Sequence, residues 1–289
     1  MVNIAKRNNV AKKFTFIDLF AGIGGIRLAF ENAGGKCVFS SEWDSHAQKT
    51  YKENFGEQPH GDITKIDIDE IPNFDILCAG FPCQPFSQAG FKKGFADTRG
   101  TLFFNIAQII KAKKPKAFFL ENVRGLLKHD DGKTFNVIKK VLEDELGYKF
   151  YHKIIKASDY GLPQHRPRLF MVGFLNSSVP FNFPDKQKLS FTLSDVFDGA
   201  KVNKEIGFTL RVGGRGSKIN DRRNWEHYLV DGKVKRIGVN EGKKLQGFPD
   251  NFKFPVSEVQ AMKQLGNSVA VSAVHATAAE IAKGIKAWQ

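Results

Sequence analysis

Cys83 lies in the segment 80–90, and its surroundings favour a reactive thiol. The apolar run 74–79 precedes it and is typical of a buried parallel strand. Pro82 and Pro85 restrict the backbone on both sides of Cys83. A thiol on a stiff loop at the carboxyl end of a strand lies where open α/β sheets bind ligands. A buried structural cysteine is the commoner fate of a lone Cys, but the two prolines favour a nucleophile here.

A carboxylate follows another apolar run, residues 115–120. Glu121 comes directly after this run, and a buried carboxylate there is costly unless it is paired or functional. Farther along the chain, Arg166 and Arg168 precede the apolar run 169–174, and their spacing of two predicts that both point to the same face. These side chains are candidates for holding or protonating a substrate.

The first 62 residues predict a pocket for an adenosine-like ligand. Glu42 follows a second strand and lies 20 residues beyond Gly22, the usual place for a carboxylate that accepts ribose hydroxyls. Trp43 offers a face for adenine. Asp62, predicted to close a third short strand, could accept a hydrogen bond from the adenine amino group. A dinucleotide fingerprint would need glycine where Arg27 stands, so a nicotinamide oxidoreductase is disfavoured.

The elements that must position these groups repeat as strand, helix and strand. Strands are predicted at 14–20, 36–41, 74–79, 115–120, 151–156 and 169–174, and helices at 26–33, about 45–54, about 97–114 and 132–145. A last helix is predicted to open at Gln264. This alternation predicts an α/β fold with a largely parallel sheet.

Composition narrows the class of protein. The 289 residues include three cysteines, too few and too far apart for a disulfide framework or a zinc site, which indicates a reducing cytosol. No signal peptide or membrane-spanning run is visible. The formal net charge is +14; residues 201–250 hold 12 basic and 6 acidic side chains, whereas residues 1–100 hold 12 of each. Solubility is the plain explanation of a basic surplus, but a surplus concentrated in one segment favours a polyanion such as DNA. The basic stretch 208–225 is a candidate second domain, with a mobile basic loop as the alternative.

An ordered set of short segments resembles the bacterial DNA (cytosine-5)-methyltransferases of restriction–modification systems. In chain order the segments are Asp18 to Gly25, Glu42-Trp43, Gly61 to Ile63, Gly80 to Gln84 with Phe86-Ser87, Asp97 to Thr101, Glu121 to Val123, Gln164 to Arg168, Leu245 to Pro249 and Gln264 to Val269. Each segment is modest alone, and the ordered set is specific. The match covers about residues 14–174 and 234–282.

The resemblance implies a Rossmann-like S-adenosylmethionine-dependent methyltransferase sheet with a small target-recognition domain. The catalytic domain would comprise residues 1–178 plus 259–289, and the target-recognition domain residues 179–258. Cys83 would add to C6 of a flipped cytosine, Glu121 would hold the ring at N3, and Arg166 and Arg168 would hold the base carbonyl or a phosphate. Arg166 is also the candidate for lowering the pKa of Cys83.

The resemblance also implies the cofactor, S-adenosylmethionine, with S-adenosylhomocysteine as product and no metal. The residues expected to contact the cofactor are Phe20, Gly22, Gly24, Glu42, Trp43, Asp62, Ile63, Pro82, Leu102, Asn267 and Ser268.

Double-stranded DNA is the expected partner, and base recognition is expected within residues 213–224. The residues expected to contact DNA are Ser87, Arg99, Thr209, Arg215, Arg222 and Arg223. Thr209 matches the position where the family has a threonine near the flipped nucleotide. Only 33 residues separate Phe174 from Phe208, fewer than in most relatives, and residues 236–241 lack the usual Thr-Pro-Arg. The target-recognition domain is therefore expected to be small.

Two other functions compete with this one. A relative acting on transfer RNA tends to carry threonine where this chain has Ser87, and a non-enzymatic DNA-binding regulator would lack Cys83 or Glu121. The expected protein is a monomeric cytoplasmic enzyme without membrane contact, and a cognate restriction endonuclease is its genetic, not physical, partner.

Overall fold

The structure is a computed structural model that describes residues 13–82, 102–212 and 216–288. The strands of its main sheet are β1 (Phe14–Leu19), β2 (Gly35–Ser41), β3 (Ile76–Gly80), β4 (Ala117–Val123), β5 (Lys149–Lys156) and β6 (Pro167–Phe174). The helices are α1 (Gly25–Asn32), α2 (Ser45–Phe55), α3 (Leu102–Lys113), α4 (Lys133–Lys140), α5 (Leu193–Val196), α6 (Val239–Gln246), α7 (Glu258–Asn267) and α8 (Val271–Lys286). A two-stranded hairpin, β7 (His227–Val230) and β8 (Lys233–Arg236), forms a second, separate sheet.

The six strands are ordered β2-β1-β3-β4-β6-β5. The first four are parallel to one another, whereas β6 is antiparallel to both β4 and β5. The expectation of a largely parallel sheet is correct for β2, β1, β3 and β4, and β5 runs in the same direction as these four; β6 alone is reversed, so the sheet is mixed. Period-two apolar patterning predicts a strand but carries no information about its direction.

Helices cover both faces of the sheet, because successive side chains of each strand point to opposite faces. Phe16, Cys78 and Phe119 pack on one face with α1 and α8, and Ile17, Leu77 and Leu120 pack on the other with α3 and α4. The side chains of the hairpin and of the residues before it join the first of these clusters through Trp225 and Tyr228. The expected α/β fold is confirmed.

Local signals explain where several helices begin and end. The Asp44 carboxylate accepts the backbone N–H groups of His46 and Ala47 and so starts α2, which ends where Gly56 adopts φ +75°. The Ser257 hydroxyl starts α7 in the same way by accepting from Gln260.

Two predicted elements are wrong. Instead of a strand closed by Asp62, one isolated bridge joins Ser41 to His60, and the Asp62 carboxylate accepts the Thr64 N–H and caps a 3-10 turn. The last helix does not open at Gln264, because α7 continues to Asn267 and α8 begins only at Val271. Side chains from distant segments satisfy the last carbonyls of α7, as described below, which lets that helix end there.

The predicted helix 132–145 is an α-helix only to Lys140 and continues as a π turn, Val141–Glu145.

Candidate active site

The carboxyl ends of the parallel strands bring the predicted site residues to one edge of the sheet. Gly80, the last residue of β3, pairs with Glu121 near the end of β4. A Cβ atom on Gly80 would lie 3.8 Å from Glu121 Oε2, which is ordinary contact, so Gly80 borders the carboxyl group directly. Asn122 donates its side-chain N–H to the carbonyl of Phe81 at 2.9 Å. The chain leading to Cys83 is thus tied to the end of β4.

Glu121 and Arg168 form an ion pair at this edge. Arg168 lies opposite Val123 in the β4–β6 pairing, on the same face as Glu121 two residues earlier. Its Nε atom is 3.0 Å from Glu121 Oε1, and both side chains are largely buried. Burial raises the pKa of Glu121, and the positive charges of Arg168 and Arg166 oppose that rise. The carboxyl group can therefore carry a proton at a higher pH than an exposed glutamate.

Arg166 does not share the position of Arg168. It is fully buried, and its guanidinium donates to the carbonyl of Leu210 at 3.1 Å and to the carbonyls of Gly266, at 3.0 Å, and Ser268. Both arginines lie close enough to Glu121 for their charges to act on it, and they differ in their partners, since the Arg166 guanidinium is bonded to these backbone carbonyls. Its predicted effect on the pKa of Cys83 stays a prediction.

Two glutamines extend this buried junction. Gln164 accepts the Leu210 N–H at 2.9 Å and donates to the carbonyl of Leu245 at 2.9 Å. Gln246 donates to the carbonyl of Leu265 at 2.6 Å. The segment before β6, the segment 207–212, α6 and the end of α7 are therefore held together by buried side-chain hydrogen bonds.

We expect Arg166→Met to lower the free energy of unfolding by about 3 kcal/mol or more, because the buried carbonyls of Leu210 and Gly266 lose a charged donor. Urea unfolding measures this change. The matched control, Arg222→Met, alters an exposed arginine and should change stability by less than about 0.5 kcal/mol. A loss below about 1 kcal/mol for the Arg166 variant would mean that the carbonyls find other partners.

The glycine-rich turn after β1 is fastened to Glu42. The Gly22 N–H donates to Glu42 Oε2 at 2.7 Å, and the Asp44 N–H donates to Oε1 at 2.8 Å. Burial raises the pKa of Glu42, although these hydrogen bonds oppose the rise. Phe20 has φ +56°, a conformation that non-glycine residues rarely adopt, and such strain clusters at functional sites.

A second wall of the predicted cofactor pocket comes from the end of α7. A Cβ atom on Gly25 would lie 2.8 Å from the Ser268 Oγ, so the start of α1 and Ser268 are in close contact. Asn267 is exposed beside it. The structure thus brings together two predicted cofactor-binding segments that are far apart in the sequence.

The other predicted cofactor residues offer surfaces that suit an adenosine. The Trp43 side chain is 79% exposed, so its ring is available for stacking. Hydrogen bonds from the Thr64 amide and hydroxyl lower the pKa of Asp62, which keeps that acceptor ionised at neutral pH. Gly24 and Ile63 are buried, Gly22 and Leu102 are half-buried, and Pro82 is exposed. A carboxylate for hydroxyl groups, an open aromatic ring and an acceptor fit the adenosine part of S-adenosylmethionine.

Four predicted site residues lie outside the described residues, namely Cys83, Ser87, Arg99 and Arg215. Thr209 is half-buried and donates its hydroxyl to the carbonyl of His165, just before the two arginines. Within residues 13–82, 102–212 and 216–288, no group of three or more potential metal ligands is found. In the same ranges no helix is long and apolar enough to cross a membrane.

Asp18 is a buried acid that the sequence analysis does not single out as a site residue. It lies in β1 beside Cys78 and Ser40, is fully buried, and neither carboxylate oxygen has a hydrogen-bond partner among the described residues. Burial raises its pKa to about 8, against the opposing charge of Arg27. The signal was available, because Asp18 is the one charged residue in the apolar run 14–20.

We expect the free energy of unfolding of Asp18→Asn, relative to that of the wild type, to increase as the pH rises from 4 to 8. Below pH 4 the carboxyl is protonated in both states; at higher pH only the folded state keeps the proton, so the wild type loses stability up to the folded pKa of about 8. Urea unfolding at pH 5 and pH 8 should show the advantage of the variant growing by as much as about 4 kcal/mol. An equal difference at both pH values would mean that Asp18 titrates normally.

Comparison with known proteins gives the family. The family model for C-5 cytosine-specific DNA methylases matches residues 14–212 and 200–283. The Type II methyltransferase M.HpaII of Haemophilus parainfluenzae is 44% identical over 325 residues, which covers 94% of this chain and 90% of that protein. The Type II methyltransferase M.NlaX of Neisseria lactamica is 46% identical, with 95% of this chain and 98% of that protein covered.

The fold agrees with that of a solved structure. A solved structure of a DNMT2 triple mutant from Spodoptera frugiperda superposes with a TM-score of 0.71 at 18% identity, covering 94% of this chain and 99% of the other. At that identity the likeness concerns the fold alone. The matches along the sequence go further, and they are with DNA-modifying enzymes over almost the whole chain. The chain therefore belongs to the C-5 cytosine-specific DNA methylases and is a DNA cytosine-5 methyltransferase of the bacterial restriction–modification type.

Proposed function

We propose that the enzyme methylates C5 of a cytosine that is flipped out of a specific double-stranded DNA sequence, through a covalent bond between Cys83 and C6. The observation that carries this proposal is the Glu121–Arg168 pair beside Gly80, three residues before Cys83. A buried carboxyl with a raised pKa next to a guanidinium suits a ring that must accept a proton at N3 and be held at its carbonyl.

Each group then has a defined task. The Cys83 thiolate forms the S–C6 bond, the electrons of the C5–C6 double bond shift to the C4–C5 bond, and those of the C4–N3 double bond shift to N3, which Glu121 protonates. The electron-rich C5 then accepts the methyl group that S-adenosylmethionine supplies, with release of S-adenosylhomocysteine. Loss of the C5 proton to solvent and of the Cys83 thiolate breaks the S–C6 bond, returns the N3 proton and restores the aromatic ring.

Arg168 is the better of the two arginines for contacting the base. Its guanidinium is beside Glu121, whereas that of Arg166 is bonded to three backbone carbonyls. We assign Arg168 to the base carbonyl and Arg166 to the support of Leu210, Gly266 and Ser268, the last of which lies beside the predicted cofactor pocket.

The cofactor is proposed to bind along the carboxyl edge of β1, β2 and β3. Glu42 would accept the ribose hydroxyls, Trp43 would cover the adenine, and Asp62 would accept its amino group. Phe20, Gly22, Gly24, Ile63, Pro82, Leu102, Asn267 and Ser268 would complete the pocket. The fastening of Gly22 to Glu42 and the contact of Gly25 with Ser268 support this assignment.

The division into a catalytic part, residues 1–178 plus 259–289, and a target-recognition part, residues 179–258, is part of the same proposal. The proposal also states that the enzyme is monomeric and cytoplasmic and that a cognate restriction endonuclease is its genetic partner.

Bisulfite sequencing of DNA from a host that expresses the chain tests the proposed function. We expect cytosines that resist conversion to occur within one short sequence, and the same host expressing Cys83→Ser to have none. Full conversion of every cytosine in the presence of the folded wild-type protein would refute the proposal.

A further inference from the structure

The segment 216–226 forms a turn that buried side chains hold at both ends. Asn224 is buried; its Oδ1 accepts the N–H groups of Glu226 and His227, and its Nδ2 donates to the carbonyls of Ile219 and His227. Glu226 is fully buried and accepts the Gly216 N–H and the Arg236 Nε at 2.7 Å. The turn is therefore a fixed platform and not a free loop.

This platform presents a clamped arginine to solvent. Arg223 donates its Nε to Asp221 Oδ1 at 3.0 Å and its Nη2 to Asp221 Oδ2 at 2.7 Å, and its backbone N–H also donates to Oδ1. The arginine side chain is 72% exposed and that of the aspartate 24%. The hydrogen bonds lower the pKa of Asp221 to about 2, so its carboxylate is ionised at neutral pH and can accept both N–H groups. One edge of the guanidinium is fixed, and the N–H groups at its end remain available.

The platform is reached from the edge of the sheet that carries the candidate active site. The carbonyl of Leu210 accepts from Arg166, and a Cβ on Gly266 would lie 2.6 Å from the carbonyl oxygen of Arg211. Residues 210 and 211 therefore lie next to the end of α7, a few residues before the platform in the sequence. The platform also belongs to segment 201–250, which has twice as many basic as acidic side chains. Both facts favour a DNA duplex as the molecule that Arg223 meets.

We propose that Arg223 reads a guanine in the major groove of the target DNA and that Asp221 is the residue that positions it. Guanine presents two neighbouring acceptors, O6 and N7, and two parallel N–H groups of one arginine match them. Because Asp221 holds the Arg223 guanidinium before DNA binds, the arginine side chain loses less conformational entropy when it contacts guanine. This inference rests on the proposed function and adds that the target sequence contains a guanine read by this one side chain.

Arg222, the preceding residue, provides a matched control. It is also exposed and carries the same charge, but no hydrogen bond or ion pair links it to the described residues. An arginine without a fixed orientation suits a phosphate contact, which contributes affinity but no direct sequence information.

The test is methylation of a DNA library with randomised positions by the full-length enzyme and S-adenosylmethionine, followed by mapping of the methylated sequences. We expect one guanine in the wild-type pattern to lose its preference by about tenfold or more in Arg223→Ala and Arg223→Lys, since lysine lacks the fork. Asp221→Asn should relax the same position to a smaller degree. Arg222→Ala should keep the pattern, lower the overall rate and reduce the salt dependence of binding by about one unit of log–log slope.

The outcomes separate the two proposals. An unchanged pattern in both Arg223 variants, whose folding circular dichroism verifies, would overturn the reading of guanine, while methylation itself would stand. A relaxed guanine position in Arg222→Ala alone would overturn it as well. A wild-type enzyme that methylates no cytosine in the library would overturn the proposed function and this inference with it.

Discussion

Replacing Cys83 by serine is expected to abolish methylation, by at least about a thousandfold, while DNA binding survives. A serine hydroxyl is a weak nucleophile at neutral pH, whereas a thiolate both attacks C6 and leaves again. Transfer of a labelled methyl group into DNA measures the first quantity, and a gel-shift titration measures the second.

The two other cysteines supply the controls for this result. Burial raises the pKa of the Cys37 thiol to about 12 and that of Cys78 well above its usual range, so neither is a thiolate at neutral pH. Cys37 donates its thiol to the carbonyl of Phe39 at 3.3 Å. In Cys37→Ser the serine hydroxyl can donate to the same carbonyl, and the variant enzyme should methylate DNA like the wild type. Methyl transfer by Cys83→Ser within tenfold of the wild type would exclude a covalent Cys83 intermediate.

The parts of the fold that the sequence predicts well are those fixed by local chemistry. Apolar runs predict the six strands of the main sheet, and the groups that follow them, Glu42 and Glu121, lie at the predicted edge of the sheet. Gly22 binds the same glutamate that the spacing of 20 residues selects. These relations hold because the carboxyl ends of neighbouring parallel strands meet at one edge.

The parts that could not be predicted depend on partners far along the chain. Arg166 is bonded to carbonyls 44, 100 and 102 residues away, so no local pattern could distinguish its role from that of Arg168. The direction of β6 likewise follows from its connection to β5 and not from its own side chains. Asp221 and Arg223 differ: they are two residues apart, and their pairing was accessible to reasoning on turn chemistry.

The second large effect is expected for Glu121→Gln, which should lower the rate of methyl transfer about a hundredfold to ten-thousandfold. Glutamine keeps the shape of the side chain and can donate a hydrogen bond to N3, but it cannot transfer a proton, and it leaves Arg168 without its carboxylate. DNA binding should change little, because the affinity for DNA depends mainly on phosphate contacts.

The dependence of the rate on pH distinguishes loss of a proton donor from simple distortion of the site. Burial raises the pKa of Glu121, so the protonated form persists above the pH at which a free glutamate ionises, and it is lost as the pH rises through the folded pKa. The wild-type single-turnover rate should therefore fall on the alkaline side through this ionisation, and Glu121→Gln should lack that fall. Glu121→Asp keeps an acid one methylene shorter and should restore the pH dependence at a reduced rate. An alkaline limb that is the same in wild type and Glu121→Gln would assign the proton to another group, and Arg168 would then act on the base without the help of Glu121.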